Sequence, residues 1–202
     1  QSALRNIPLL NSDLRMDSNF KNVQNDKNMI GVVEMNYILK YANISINSSV
    51  VNKRLLFYVS DSTFNGRESI IHSLSKMLTF TNQAEISRNF ENGLLFRAKF
   101  TSENDNVDTR DTVSDNGYNV NQNKTKFSVV IGRRLKEKLS FTMVFTKEFV
   151  REMSIPLIPM LGIDYKPFKN RDLIIKTSAS SNYKIPSLND LYWQPGGNHD
   201  LL

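Results

Sequence analysis

The chain has 202 residues, no cysteine, 40% hydrophobic residues and a formal net charge of +6. This length suits one domain or a sizeable piece of a larger one, and the lack of cysteine excludes disulfides, thiolate metal sites and cysteine nucleophiles. The 26 Lys and Arg residues are scattered, so nucleic acid is not an expected partner. The sequence contains no run of 18 apolar residues, the length that a transmembrane helix requires.

The first clear pattern lies at 28–41, where apolar and polar residues alternate with a period of two. This alternation is typical of a β-strand with one apolar and one polar face. The odd-numbered positions include Met29, Val33, Met35, Tyr37, Leu39 and Tyr41, and the even-numbered positions include Glu34, Asn36 and Lys40. Further candidate strands follow at 44–50, 54–60, 70–87 and 94–101.

The same period continues through the second half of the chain. In 126–132, Phe127, Val129 and Ile131 alternate with polar residues or glycine, and 138–148 repeats the pattern from Leu139 to Thr146. The last candidate strands are 159–166 and 173–182. Since no segment of ten residues shows a helical period, we predict an all-β, antiparallel fold of roughly eight to ten strands.

The predicted connections alternate in length. Short turns are expected at 89–93, 134–138 and 167–172, and long polar loops at 102–123, 148–159 and from 183 onwards. Short turns at one end and long loops at the other are typical of an outer-membrane barrel. A soluble β-sandwich also alternates in this way, so the pattern by itself leaves both architectures open.

The stretch "NYKIPSLNDLYWQPGGNHDLL" resembles the signature loop of TonB-dependent outer-membrane receptors, especially those of Bacteroidetes. That family has an aromatic-Arg-x-Pro step, a Ser-Leu-Asn-Asp-Leu-Tyr-Trp run, then Pro-Gly-Gly-Asn-Pro-Asp-Leu. The matching positions here are Tyr183, Lys184, Ile185, Pro186, then 187–193, 195–198, Asp200 and Leu201. Lys184 departs from the usual arginine and His199 from the usual proline, and the Pro-Glu pair that follows in the family is absent.

This resemblance implies that residues 1–202 are part of the transmembrane β-barrel of such a receptor, in the bacterial outer membrane. Barrels of this class have about 22 strands and a plugged lumen, so the plug and the remaining strands are expected outside this chain. The resemblance further implies uptake of a scarce, large nutrient, such as a metal chelate, a cobalamin or a glycan. Implied partners are the rest of the receptor, TonB through the plug, a surface lipoprotein and membrane lipid.

Within the loop we expect a mainly structural role, with ligand contact as the alternative. Pro186 fixes φ, and Gly196 and Gly197 permit a tight reversal. Asn189 and Asp190 are expected to cap backbone groups of an extended loop, and Tyr192 and Trp193 to pack against neighbouring loops or a ligand. The candidate site residues are Tyr183, Lys184, Pro186, Asn189, Asp190, Tyr192, Trp193, Gly196, Gly197 and Asn198.

No catalytic constellation or cofactor motif is present in the sequence, so we do not expect an enzyme. His72 and His199 lack metal-ligand spacing. Asp108, Asp111 and Asp115 do not match a calcium-binding loop. Two alternatives stay open beside the receptor fragment, namely a self-contained small outer-membrane barrel and a soluble β-sandwich that binds a ligand.

Overall fold

A computed structural model describes residues 2–6, 20–61, 68–135, 138–150, 153, 155–168, 173–193, 196–198 and 200–201. They form one nine-stranded antiparallel sheet in which every strand pairs with its neighbours in chain order. The strands are β1 Ser2–Asn6, β2 Phe20–Ile38, β3 Asn43–Asp61, β4 Glu68–Asn89, β5 Leu94–Asp111, β6 Asn116–Leu135, β7 Leu139–Val150, β8 Ile158–Tyr165 and β9 Ile175–Ser180. The predicted all-β, antiparallel class is confirmed.

The strand register assigns each side chain to one of two faces, because residues directly opposite each other share a face. One face carries a continuous apolar stripe, here called the apolar band, across β2 to β9. It lies near the turns at 39–42 and 90–93 and near the end of β8 at Tyr165. The band consists of Met35, Tyr37, Ile44, Ile46, Ala84, Ile86, Phe96, Ala98, Phe100, Phe127, Val129, Ile131, Leu139, Phe141, Met143, Phe145, Phe149, Leu161, Ile163, Tyr165 and Ile175. The predicted alternation at 126–132 and 138–146 agrees with this register.

The opposite face, here called the charged face, is polar at the same level of the sheet. It holds Glu34, Asn36, Ser45, Asn47, Gln83, Glu85, Arg97, Lys99, Lys126, Ser128, Thr146, Glu148, Asp164 and Lys176. Arg97 and Glu85 form an ion pair across β5 and β4, with 3.1 Å from Nε to Oε1. Some apolar residues also lie on this face, so the division between the two faces is not strict. They include Ile30, Val32 and Ile38 of β2, Leu95 of β5, Val130 of β6, Val144 of β7 and Met160 of β8.

The apolar band is exposed, whereas a soluble protein buries the apolar face of its sheet. Large apolar side chains of the band are exposed, among them Ile86 at 43%, Phe127 at 48% and Met143 at 43%. The chain has 15073 Å² of accessible surface, whereas a compact monomer of 23.2 kDa has roughly 9,700 Å². The described residues therefore form a single layer without a second layer packed on the band.

The predicted long loop at 102–123 is wrong, because β5 and β6 pair without interruption up to Asp111 and Asn116. Only a turn at 112–115 joins the two strands. These residues lack apolar alternation because both faces of this hairpin are polar. We call the part formed by 102–111 and 116–125 the hairpin extension, since it continues beyond the apolar-band residues of β5 and β6.

Other connections are closer to the prediction. The turn at 90–93 is short, and β7 and β8 are joined through 151–157. The predicted turns at 134–138 and 167–172 include residues 136, 137 and 169–172, which lie outside the described residues. The segments predicted as 44–50 and 54–60 form one strand, β3. Gly93 adopts φ 79° in its turn, where an added Cβ would lie 2.8 Å from the Arg134 carbonyl oxygen. No helix in the described part of the chain has the length and apolarity needed to span a membrane.

Candidate functional site

The candidate site is the loop at 181–201, which begins where β9 ends. It contains a short helix, α1 Leu188–Tyr192, whose N-terminus is closed by a reciprocal capping box. The Ser187 Oγ accepts from the Asp190 backbone N–H at 3.2 Å, and the Asp190 Oδ2 accepts from the Ser187 backbone N–H at 2.9 Å. Both bonds satisfy backbone donors that a helix start leaves without a partner. The sequence led us to expect an extended loop here, whereas five residues are helical.

The capping box also sets the charge state of Asp190. Hydrogen bonds from the backbone and the side chain of Ser187, together with the nearby Lys184 charge, lower the pKa of this exposed carboxyl. A lowered pKa means that the cap is intact above the ordinary aspartate range and is lost as the pH falls below it. The helix start is therefore held by an ionised Asp190 at neutral pH.

After α1 the chain turns back on itself. The Gly197 N–H donates to the Trp193 carbonyl oxygen at 2.5 Å, and the Asn198 N–H donates to the Asp190 carbonyl oxygen at 2.8 Å. Gly197 has no room for a side chain, since an added Cβ would lie 2.5 Å from the Trp193 carbonyl oxygen and 2.7 Å from the Trp193 nitrogen. Gly196 beside it has φ 121°, a conformation that glycine adopts without strain. The loop is thus a compact, hydrogen-bonded unit.

Tyr118 of β6 connects this loop to the hairpin extension. Its hydroxyl donates to the Asn189 Oδ1 at 2.5 Å. Its ring lies 5.9 Å from the Tyr192 ring and 6.5 Å from the Trp193 ring, centroid to centroid. Tyr118 projects from the charged face, opposite Thr109, and burial raises its pKa. The loop therefore lies against the charged face near the tip of the extension.

An ion-pair network with one buried carboxylate lies on the same face, farther from the tip. Lys124 donates to the Asp105 Oδ2 at 2.8 Å and to the Glu103 Oε1 at 2.9 Å, and Thr79 donates to the Asp105 Oδ1 at 2.6 Å. Asp105 is only 1% exposed. Burial opposes both charges, but the hydrogen bonds and the mutual attraction outweigh it, so the pKa of Asp105 is lowered and that of Lys124 is raised. The network ties β4, β5 and β6 together beyond the band.

A second buried carboxylate, that of Asp111, lies at the tip of the extension. Burial works against ionisation of Asp111, yet the backbone N–H groups of Val113 and His72 donate to it and lower its pKa. The His72 Nδ1 lies 2.7 Å from the Thr112 hydroxyl, and its ring meets that of Tyr58 edge-on at 5.9 Å. These contacts fasten the 112–115 turn to β4.

The structure places the predicted site residues in different surroundings. Tyr183, Lys184, Asn189, Asp190, Gly196 and Asn198 are exposed, whereas Pro186, Tyr192, Trp193 and Gly197 are half-buried. Leu191, which the sequence did not single out, is only 3% exposed. Tyr118 was also missed, because nothing in the sequence relates it to a loop 71 positions away from it.

The remaining candidates do not assemble into a chemical site. Asp108 lies on the face of the apolar band and Asp111 on the charged face, so the acidic residues of the turn do not converge. His199 lies outside the described residues. No group of three or more potential metal ligands occurs in the described ranges. The arrangement holds the described part of the loop over a polar surface, and it presents exposed aromatic and amide groups there.

Comparisons with known proteins do not identify a family for this chain. No protein-family model matches the chain, and no curated protein matches it.

Proposed function

We propose that this chain is part of the transmembrane β-barrel of an outer-membrane receptor of the TonB-dependent type. In this proposal the apolar band faces lipid and the charged face lines the lumen. The hairpin extension and the 181–201 loop then lie on the extracellular side. The receptor would import a scarce, large nutrient, and TonB would act through a plug supplied by the rest of the receptor.

The observation that carries the proposal is the continuous exposed apolar band, backed by a charged face on the same strands. A soluble sheet buries its apolar face against another layer, and no such layer covers the band among the described residues. A membrane barrel requires the opposite arrangement, with apolar side chains outward and polar side chains inward. Both features follow from the register of β2 to β9.

The height of the band agrees with a bilayer. In β7 the band runs from Leu139 to Phe149, about 34 Å along the strand at ~3.4 Å per residue. A strand tilt of about 40° reduces this to about 26 Å along the membrane normal, close to the ~25 Å apolar belt of such barrels. Lys147 is the one charged residue among the band-side positions of β7. Its ammonium group is hydrogen-bonded, because the Nζ donates to the Ile155 carbonyl oxygen.

The 181–201 loop supports the receptor type within this class. Its residues carry the family resemblance, and they lie against the charged face, where a ligand would pass on its way into the lumen. The half-buried Tyr192 and Trp193 contact Tyr118, whereas Tyr183 and Lys184 are exposed. We assign the first pair to loop packing and the second pair to the surface that a ligand meets first.

The membrane assignment can be tested with single cysteines, because the chain has none of its own. Ser128 and Val129 are adjacent but lie on opposite faces. Val129→Cys, labelled with an environment-sensitive fluorophore in vesicles, should be quenched by lipids brominated on their acyl chains. Ser128→Cys, the matched control, should escape quenching and react with a water-soluble maleimide. Equal quenching at both positions, or none at Val129→Cys, contradicts the proposed orientation.

The transport assignment requires a separate experiment. Cells that carry the full-length protein should accumulate one ligand from a panel of iron chelates, cobalamins and oligosaccharides, and dissipation of the proton-motive force should stop this uptake. Uptake that continues after uncoupling would point to passive diffusion through a pore. A self-contained small barrel, the principal alternative, needs β1 to pair with β9, and these two strands are unpaired with each other in the described structure.

A further inference from the structure

A cationic and aromatic cluster lies at the edge of the apolar band, at the ends of β2, β3 and β4. The Arg88 guanidinium lies 5.5 Å from the Tyr41 ring centroid and 4.3 Å from that of Phe90. The Lys40 ammonium lies 5.2 Å from the Tyr41 ring. These residues line a cleft of about 710 Å³ between the turns at 39–42 and 90–93. Two cations thus converge on one ring, at the boundary between band and turns.

Neither cation is neutralised by an ion pair in the described part of the chain, where the ion pairs involve Arg97 and Lys124. Glu91 lines the same cleft but is not within ion-pair distance of either. Arginine presents a planar fork of donors that suits a phosphate, and lysine adds a point charge. The cluster therefore has the chemistry of a phosphate site.

An apolar groove continues from this cluster along the same face. Arg88, Ile86 and Ala84 follow one another on the band side of β4. Ala84 and Ala98 are small, and they leave a groove of about 310 Å³ between the larger side chains of Ile44, Ile86, Phe100 and Phe127. The cleft and the groove are lined by neighbouring residues of β4, Arg88 in the cleft and Ile86 in the groove. A cationic site beside an apolar groove matches a ligand with a phosphate at one end and a hydrocarbon chain at the other.

We infer that Lys40, Arg88 and the Ala84–Ala98 groove form a binding site for an anionic glycerophospholipid. The phosphate lies against the two cations, and one acyl chain occupies the groove. This inference rests on the proposed membrane orientation, in which the short turns face the periplasm and the site contacts the inner leaflet. The charge complementarity of the cluster and its continuity with the lipid-facing band identify the occupant as a membrane lipid.

The test uses native mass spectrometry of the full-length protein, released from vesicles of phosphatidylglycerol mixed with phosphatidylcholine. The wild type should retain phosphatidylglycerol selectively. The double variant K40Q/R88Q should retain about thirtyfold less, since a basic residue near an anionic surface contributes about fivefold. The control R54Q/K76Q removes two cations that pair across β3 and β4 on the same face. Lys76 lies 12 residues from Arg88 along β4, so this variant should bind like the wild type.

Two further measurements separate the lipid from simpler ligands. Ala98→Leu fills the groove while leaving both cations in place, and it should lower phosphatidylglycerol retention. Inorganic phosphate should not displace the lipid, because it lacks the acyl chain. Displacement by phosphate, or unchanged retention in K40Q/R88Q, overturns the inference.

The same samples distinguish this failure from failure of the proposed function. If wild type and K40Q/R88Q both float with vesicles and retain equal lipid, the membrane orientation stands and the lipid site is wrong. If the wild type does not associate with vesicles, the barrel assignment fails and the lipid site fails with it.

Discussion

The two halves of the β5–β6 hairpin follow one continuous ladder but have different chemistry. In the lower half, 94–101 paired with 126–133, the band face carries Phe96, Phe100 and Phe127. In the hairpin extension the same face carries asparagines, and the Asn104 amide donates to the Asn121 Oδ1 at 3.1 Å and also to Asn123. The backbone pairing does not change at this boundary, so the two halves differ only in their side chains, as the proposed passage from lipid to water requires.

The charged face differs between the two halves as well. Beside the band, the Arg97–Glu85 pair is partly exposed, with side chains 46% and 28% accessible. In the extension, the Lys124–Asp105 pair buries its carboxylate almost completely. The extension holds all four buried polar residues of the described chain, namely Asp105, Thr109, Asp111 and Gln122. In the proposed orientation the extension lies in water, where a strand needs such internal contacts, whereas the band is stabilised by lipid.

The largest effect is expected from a charge placed in the middle of the band. Val129→Lys should lower the free energy of unfolding from vesicles by up to about 4 kcal/mol, the cost of a lipid-facing lysine at the bilayer midplane. Guanidinium titration of the vesicle-inserted protein measures it. Val144→Lys is the matched control, because Val144 lies half-buried on the charged face and should change stability little. Equal losses in both variants contradict the two-faced assignment.

Breaking the ion-pair network should affect the extension alone. Lys124→Met leaves the buried Asp105 charge without its cation and should cost about 3 kcal/mol. Hydrogen exchange should increase at 102–111 and 116–125, and remain unchanged in the band. Arg97→Met serves as the control, because partly exposed pairs contribute about 1 kcal/mol or less. Faster exchange throughout the sheet would show that the two halves do not unfold separately.

A smaller effect is expected where the loop reverses. Gly197→Ala places a Cβ 2.5 Å from the Trp193 carbonyl oxygen, so the backbone must shift, at a cost of about 2 kcal/mol. Trp193 is the only tryptophan, and its fluorescence should shift to the red as the loop opens. Gly162→Ala in β8 is the control, because its Cβ would lie 3.8 Å from Thr142. An unchanged spectrum in Gly197→Ala would contradict the compact loop.

The sequence predicted the strands whose two faces differ. In 126–132 and 138–146 the alternation identifies each face correctly, because the band side is apolar and the other side is polar apart from Val130, Gly132 and Val144. The same method failed at 102–123, where both faces are polar and no alternation exists to detect. The paired backbone there is stabilised by cross-strand contacts such as Lys124–Asp105, whose partners are 19 residues apart.

The loop was predictable only in part. Ser187 and Asp190 are spaced as in a capping box, a local signal that would have indicated α1 in place of an extended loop. The reversal at Gly196 and Gly197 also followed from residue type. Tyr118 left no such signal, because its contact with Asn189 depends on how β6 and the end of β9 are placed in the sheet. Contacts between distant segments require the register, which one sequence does not supply.

The smallest effect is expected at this contact between the extension and the loop. Tyr118→Phe removes the hydrogen bond to Asn189 but keeps the ring against Tyr192 and Trp193, so the loss should be about 1 kcal/mol. Limited proteolysis at 181–201 should become faster, while guanidinium unfolding of the band stays the same. Tyr183→Phe is the matched control on the exposed part of the loop and should be cleaved at the wild-type rate. If Tyr118→Phe also leaves cleavage unchanged, aromatic packing alone fixes the loop, and Tyr118→Ala should then release it.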